Sequence, residues 1–375
     1  MKKCKMMRLL IGAAMATMAT VGCQKLQEIF GQDTEPVDDG APVKITFNTN
    51  VLNVETRANG SVTEFTNDHK LYVYGIKSDG TVLMNNVEAT AAGVTAPVQG
   101  TGGVQKSLVI TSGYAYFYTG TKDEYSFYGY YVDDAAGTDP APDPTSYTLP
   151  VTITGDQDIL LAKADPEKDC EGNDKVYYKA VPEEGKINDP VYSAWSARRG
   201  VVPTLKFEHQ LSQFTFTVKN SGGIDVTLEG ITINTTNQGT LTVVGADPNL
   251  AHADNAKADL PLKMDALALT AKGDYKQVQY TAGESKFNSS MMVFPGATNT
   301  LVLTLKQEKQ NGIRTVSIPI TQATEKGYSY EVQITVYSME EVAINVTLAE
   351  WETGQAIPID TESYPGVEDV YTPNV

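Results

Sequence analysis

The sequence predicts an all-β protein built as two tandem β-sandwich domains behind an export signal. Three observations carry this expectation. Short segments alternating apolar and polar residues recur along the chain with turn residues between them, no long helical period appears, and the N-terminus has the layout of a secretory signal.

The elements can be justified in order. Lys2, Lys3, Lys5 and Arg8 form a positive region, followed by an apolar run from Leu9 to Gly22. That run has 14 residues, whereas a membrane-spanning helix needs about 20. Residues 1–22 therefore read as a signal peptide. Cys23 follows small Gly22 directly, which is the arrangement of a bacterial lipobox, with Thr20 where leucine is usual. An acylated Cys23 would hold the chain on a membrane, each buried methylene contributing about 0.8 kcal/mol. Cys4 leaves with the signal, so Cys170 is left without a partner for an internal disulfide and stability must come from apolar cores.

Residues 24–42 are polar, lean acidic and contain Pro36 and Pro42, the composition of a tether. The first strand is Val43 to Val51, with Val43, Ile45, Phe47 and Val51 as its apolar residues. Val54 to Gly60 reads as an exposed loop. Strands follow at Leu71 to Ile76, Tyr114 to Tyr118, Tyr125 to Val132, Val151 to Thr154 and Asp158 to Ala164, several of them rich in the aromatics that strands favour. Pro140, Pro142 and Pro144 exclude both helix and central strand between them. The stretch from Asp189 to Gly200 is expected to be an exposed domain junction.

The second block opens with Leu205, Phe207 and His209 on one strand face, and continues with Phe214, Phe216 and Val218 in the opposite phase. A break between Gln210 and Gln213 has to absorb that slip, because one residue of shift turns every side chain over. Further strands are expected at Asp225 to Asn234, Gly239 to Val244, Leu301 to Leu305 and Val316 to Ile320. The cleanest alternation comes last, in Tyr328 to Val336 and Val342 to Leu348.

Composition and motifs exclude several functions. The chain has a formal net charge of −17, and loss of the four signal cations makes the exported part more acidic still. Nucleic acid, which binds basic surfaces, is not an expected partner. His69, His209 and His252 are the three histidines. None stands in a metal-ligand spacing or a defensible Ser/His/Asp set, and His209, in phase with Phe207, reads as a packed structural histidine. Asp165, Glu167, Asp169, Glu171 and Asp174 lack the spacing and terminal bidentate glutamate of a calcium loop, and read as a solvated loop. No catalytic residue, metal or cofactor is expected.

In this order the residues resemble the fimbrillins, the pilins of the type V pili of Bacteroidales. The likeness spans nearly the whole exported chain: the lipobox at Cys23, the strand Val43 to Val51, and the pair Arg57-Ala58 in the loop after it. It continues with the aromatic strand Tyr125 to Tyr131, Asp158 to Ala162, the phrase Leu205 to Leu211, and the close Ile344 to Gly354 with its Trp351-x-x-Gly354. The resemblance implies Greek-key, transthyretin-like sandwiches and an assembly mechanism. The lipidated precursor would reach the outer membrane, and an arginine-specific protease would cut between Arg57 and Ala58. Residues 23–57, including the first strand, would then leave, and the C-terminal strand of another subunit would take the vacated groove. The expected division is thus 1–22 signal, 23–57 lipidated propeptide, 58–200 and 203–351 the two sandwiches, and 352–375 the donor tail. Its partners would be other fimbrial subunits, the protease and, before cleavage, the membrane. Stalk, tip and anchor roles all stay open, as does the part of the tail that inserts. A rival reading is a monomeric surface lipoprotein that binds glycan or a host ligand through aromatics between Tyr114 and Tyr131.

Overall fold

The computed structural model describes residues 41–51, 65, 69–97, 104–120, 123–133, 145–164, 192–198, 202–253, 257–280, 290–307 and 312–350. Within the first block lie β1 (Phe47–Val51), β2 (Leu71–Lys77), β3 (Val82–Pro97), β4 (Val104–Ile110), β5 (Tyr125–Val132), β6 (Thr148–Thr152), β7 (Ile159–Lys163), a short helix α1 (Ala194–Arg198) and β8 (Thr204–His209). The second block holds β9 (Ser212–Asn220), β10 (Val226–Thr236), β11 (Gln238–Thr242), β12 (Asn249–His252), β13 (Lys257–Pro261), β14 (Leu267–Leu269), β15 (Lys276–Gln277), β16 (Ser290–Val293), β17 (Asn299–Gln307), β18 (Gly312–Ile320), β19 (Tyr328–Val336) and β20 (Val342–Glu350). The all-β expectation holds.

Seven strands of the first block close into a barrel in the order β1-β4-β3-β2-β5-β7-β8. Its interior is aromatic and aliphatic: Phe47, Phe65, Leu71, Val73, Met84, Phe127, Leu205 and Phe207 are all buried in one cluster. The second block is a sandwich. One sheet runs β13-β10-β17-β18 with β14 added on β10, and the other runs β15-β9-β19-β20 with β16 added on β9. Their inward residues, among them Phe214, Phe216, Ile231, Leu301, Leu303, Val332 and Ile334, form one cluster. The strict alternation that made β19 and β20 legible reflects this two-layer arrangement, with one face of each strand on the core.

The two blocks share structure. β6, from the first, pairs with β11 of the second, Leu149 opposite Leu241, in the small sheet β12-β11-β6. Tyr74, Tyr128, Tyr130, Ile159 and Leu161 pack in the cluster of the second block, while Phe127, Tyr131 and Leu160 pack inside the barrel. β5 and β7 are therefore buried on both faces, and that is why they read as near-continuous apolar runs.

Two local expectations are revised. Tyr114 to Tyr118 follows a turn at Thr111–Ser112 and forms one isolated antiparallel bridge, Phe117 to Lys44, and not a ladder strand. Gly113, at φ 70°, turns the chain just before it. The stretch after Asp189 is not uniformly exposed: Tyr192, Ser193, Ala194 and Ser196 are buried, with the Tyr192 ring 5.8 Å from that of Phe127. The backbone N–H of Tyr125 donates to the Tyr192 carbonyl, so this segment covers the end of β5. The phase slip falls where expected, at Gln210 and Leu211, between β8 and β9. Gln210 N–H donates to Ile159 O and Gly327 N–H to Leu211 O, fixing the break from both sides.

Candidate functional site

β1 is the stave that closes the barrel. It lies antiparallel to β4, with Phe47 opposite Leu108 and Thr49 opposite Lys106, and parallel to β8, with Asn48 opposite Thr204 and Val51 opposite Phe207. Upstream of it the chain continues the pairing: Ile45 N–H donates to Tyr116 O and Tyr118 N–H to Val43 O. Residues 43–51 thus occupy one continuous seat, formed by β4, β8 and the aromatic segment 116–118.

The seat's floor is apolar. Ile45 and Phe47 are buried, at 5% and 3% exposure, and the Phe47 ring meets Phe127 edge-on at 5.0 Å. Phe207, beside it in the same core, meets Phe65 at 4.9 Å. Val43 is only half-buried, less than its place in the alternation implies. Thr49, which the apolar pattern did not single out, is buried at 1% and its Oγ1 donates to Leu205 O at 3.3 Å. Parity with Ile45 and Phe47 was the signal that could have placed it inward. Burying Ile45 and Phe47 contributes about 1.5–3 kcal/mol each, and the Thr49 bond roughly 0.5–1.5 kcal/mol more.

The wall on the β8 side depends on its occupant. β8 pairs with β7 at Leu160–His209 and Leu161–Glu208 only, and residues 204–207 take their rungs from β1. Packing also holds them. Gly129 lies so close that a Cβ there would sit 2.8 Å from Phe207 Cζ and 3.1 Å from Leu205 Cδ1. Glycine in the middle of the aromatic strand is what lets β8 approach β5. At the foot of β8, His209 Nδ1 is 2.8 Å from Asp158 Oδ2, both groups buried, and Asp158 Oδ1 accepts Ile159 N–H. The histidine is structural, tying β8 to the start of β7. Burial raises the phenol pKa of Tyr118, whose backbone pairs with Val43 in the seat, with Tyr125 nearby adding to the effect.

Lifting β1 out would leave β4 and β8 as facing edges, two strand spacings or about 9–10 Å apart, with unpaired backbone groups above an apolar floor. Such a slot fits one added strand and little else. Among the described residues no cluster of His, Cys, Asp and Glu could hold a metal ion, and no helix is long and apolar enough to cross a membrane. His69 packs against the rings of Phe65 and Tyr131, and His252 against Phe294. The aromatics Tyr125 to Tyr131 fill the cores, whereas Tyr114 and Phe117 are 67% and 40% exposed. Cys23, Arg57, Ala58, the acidic cluster 165–174 and the tail 352–375 lie outside the described residues.

Comparison with known proteins adds the family. Solved structures similar to the chain include a proposed cell adhesion protein from Bacteroides uniformis, 14% identical over 82% of this chain and 99% of that one, with a TM-score of 0.49. Another is the fimbrial anchor protein Mfa2 from Porphyromonas gingivalis, 9% identical over 83% of this chain and 99% of that one, with a TM-score of 0.34. No curated protein matches the chain. The family described as fimbrillin-like matches residues 56–351, from just before the Arg57-Ala58 pair to Trp351, and the chain belongs to that family.

Proposed function

We propose that the chain is a structural subunit of a bacterial surface fimbria, exported as a lipoprotein on Cys23, cut between Arg57 and Ala58, and polymerised by strand exchange. Family membership supports the fimbrial and cell-surface part, and assembly with other fimbrial subunits in adhesion. The observation that carries the exchange step is the place of β1. It closes the barrel between β4 and β8, and the chain reaches Arg57 six residues after its end. One cut there frees the stave without touching the rest of the barrel.

The role is structural and not enzymatic. Its partners are an arginine-specific protease, the outer membrane before the cut and neighbouring subunits after it. The mature body is then 58–200 and 203–351, braced by the β6–β11 pairing, with 352–375 as donor. Head-to-tail addition of identical subunits gives a filament unless the rotation closes a ring. Arg57→Ala tests the reading: the variant should fold and reach the surface yet form no polymer. Normal filaments from it would overturn the cut.

A second reading has one observation in its favour. Exposed Tyr114 and Phe117 could contact a glycan or host ligand, as in a tip subunit or a monomeric surface lipoprotein. That product would keep its lipid at Cys23 and stay uncut.

A further inference from the structure

The seat of β1 sets conditions on whatever strand replaces it. Inward positions 45 and 47 are buried and apolar, and the inward position after them, 49, is buried and holds a hydroxyl that donates to Leu205 O. Rungs to β4 and β8 run from position 47 to 51, while the bridge above them is at 44. Position 46 carries none of these rungs, so a proline is tolerated there and nowhere from 47 to 51.

Taking strand exchange as proposed above, the geometry points to residues 355–363 of a second copy of this chain as the occupant, running in the same direction as residues 43–51. Ile357, Ile359 and Thr361 then take the places of Ile45, Phe47 and Thr49, and Pro358 falls at the rung-free position 46. Ala356 meets Phe117, and Asp360 and Glu362 alternate away from the apolar row.

Within residues 351–375 this window alone combines two apolar inward residues, a following hydroxyl and no proline on a rung. Shifting it by two residues brings Pro358 or Pro365 onto a rung. Running it backwards places Thr361 at the buried apolar position 45, Pro358 on the rung at 48 and Ile357 where the hydroxyl bonds. The other apolar stretch, Val367 to Tyr371, puts Asp369 or Glu368 into the buried row, or else Pro373 onto a rung. A buried, unpaired carboxylate is strongly unfavourable.

Asn48 stands opposite Ser107 of β4, so the register predicts that Asp360 of one copy faces Ser107 of the next. Directly opposed strand residues lie within disulfide reach. The test uses the full chain with Cys170→Ser, Ser107→Cys and Asp360→Cys, cut by an arginine-specific protease and run without reductant. A reductant-sensitive ladder is expected, with none when Asp369→Cys replaces Asp360→Cys. Ile359→Asp should lower polymer yield by at least about tenfold, while Val370→Asp leaves it unchanged. Polymers without the 107–360 link, a link to position 369, or a within-chain link in monomers would each overturn the register while leaving strand exchange standing. A cut wild-type chain that forms no polymer would bring down the exchange itself, and this inference with it.

Discussion

Phe47→Ala should weaken the precursor and leave the assembled fimbria untouched. In the uncut chain the Phe47 ring is 3% exposed, sits edge-on to Phe127 at 5.0 Å and lies opposite Leu108. Truncating a buried phenylalanine costs about 3–5 kcal/mol, of which the aromatic pair accounts for roughly 0.5–1.5 kcal/mol. The lower half of the range is expected, since β1 is short and the β8 wall can move inward. Denaturant unfolding of the full-length chain, carrying Cys23→Ser so that it is not acylated, measures the loss through the shift in midpoint at constant slope. The proposed cut at Arg57 would remove Phe47 from the mature subunit. Polymers from the variant should therefore dissociate in detergent and heat at the same point as wild type. A loss under about 1 kcal/mol would show that β1 is not seated as described. A weaker mature polymer would show that residues 43–51 stay in it.

Three further outcomes follow from the same geometry. Gly129→Ala should destabilise both precursor and polymer by about 1–3 kcal/mol through overpacking against Phe207, read by unfolding midpoints; an unchanged midpoint would mean β8 does not press on β5. His209→Ala removes the buried bond to Asp158, and should cost about 1.5–3 kcal/mol while raising hydrogen exchange at residues 204–209; unaltered exchange there would deny it the tie between β8 and β7. Burial, with Tyr147 nearby, raises the Tyr74 phenol from 10.0 to about 12. Its folded value lies above the unfolded one, so its contribution is complete below pH 10 and is lost as pH rises toward 12. Tyr74→Phe should flatten the decline in that window, and an identical pH profile in the variant would contradict the assignment.

The sequence was most readable where one strand face meets a core and the other meets water. β19 and β20, and the slip between β8 and β9, were placed from alternation alone. Strands buried on both faces, β5 and β7, were found through aromatic and aliphatic density. Most of what stayed hidden lacked either signal, although β4 and the fully buried β16 were also not foreseen. β3 and β12 to β15 carry mixed polar residues, because their pairing comes from neighbouring ladders and not from an apolar stripe of their own. Tyr114 to Tyr118 looked like a strand because aromatics favour one, and residues 116–118 do pair with residues 43–45, but through one isolated bridge and not a ladder.

Within the site, Ile45 and Phe47 were legible as inward residues of the first strand. Thr49 was not, because a buried threonine looks like any polar residue until its partner, the Leu205 carbonyl, is known. The two flanks of the seat could not be read at all. That β1 lies between β4 and β8, antiparallel to one and parallel to the other, depends on pairings across 57–61 residues to β4 and 156 to β8. Sequence periodicity carries no information at that separation. The same gap left open which part of the tail inserts: Pro358 is awkward for a central strand unless the position it takes carries no rung, as position 46 does not.

The central claim is that residues 43–51 are a removable stave, discarded before assembly. Terminal sequencing of subunits taken from intact surface filaments tests it most directly. The account predicts a chain that begins at Ala58, with no peptide from 23–57 present. Subunits that begin at an acylated Cys23 and still form filaments would contradict it.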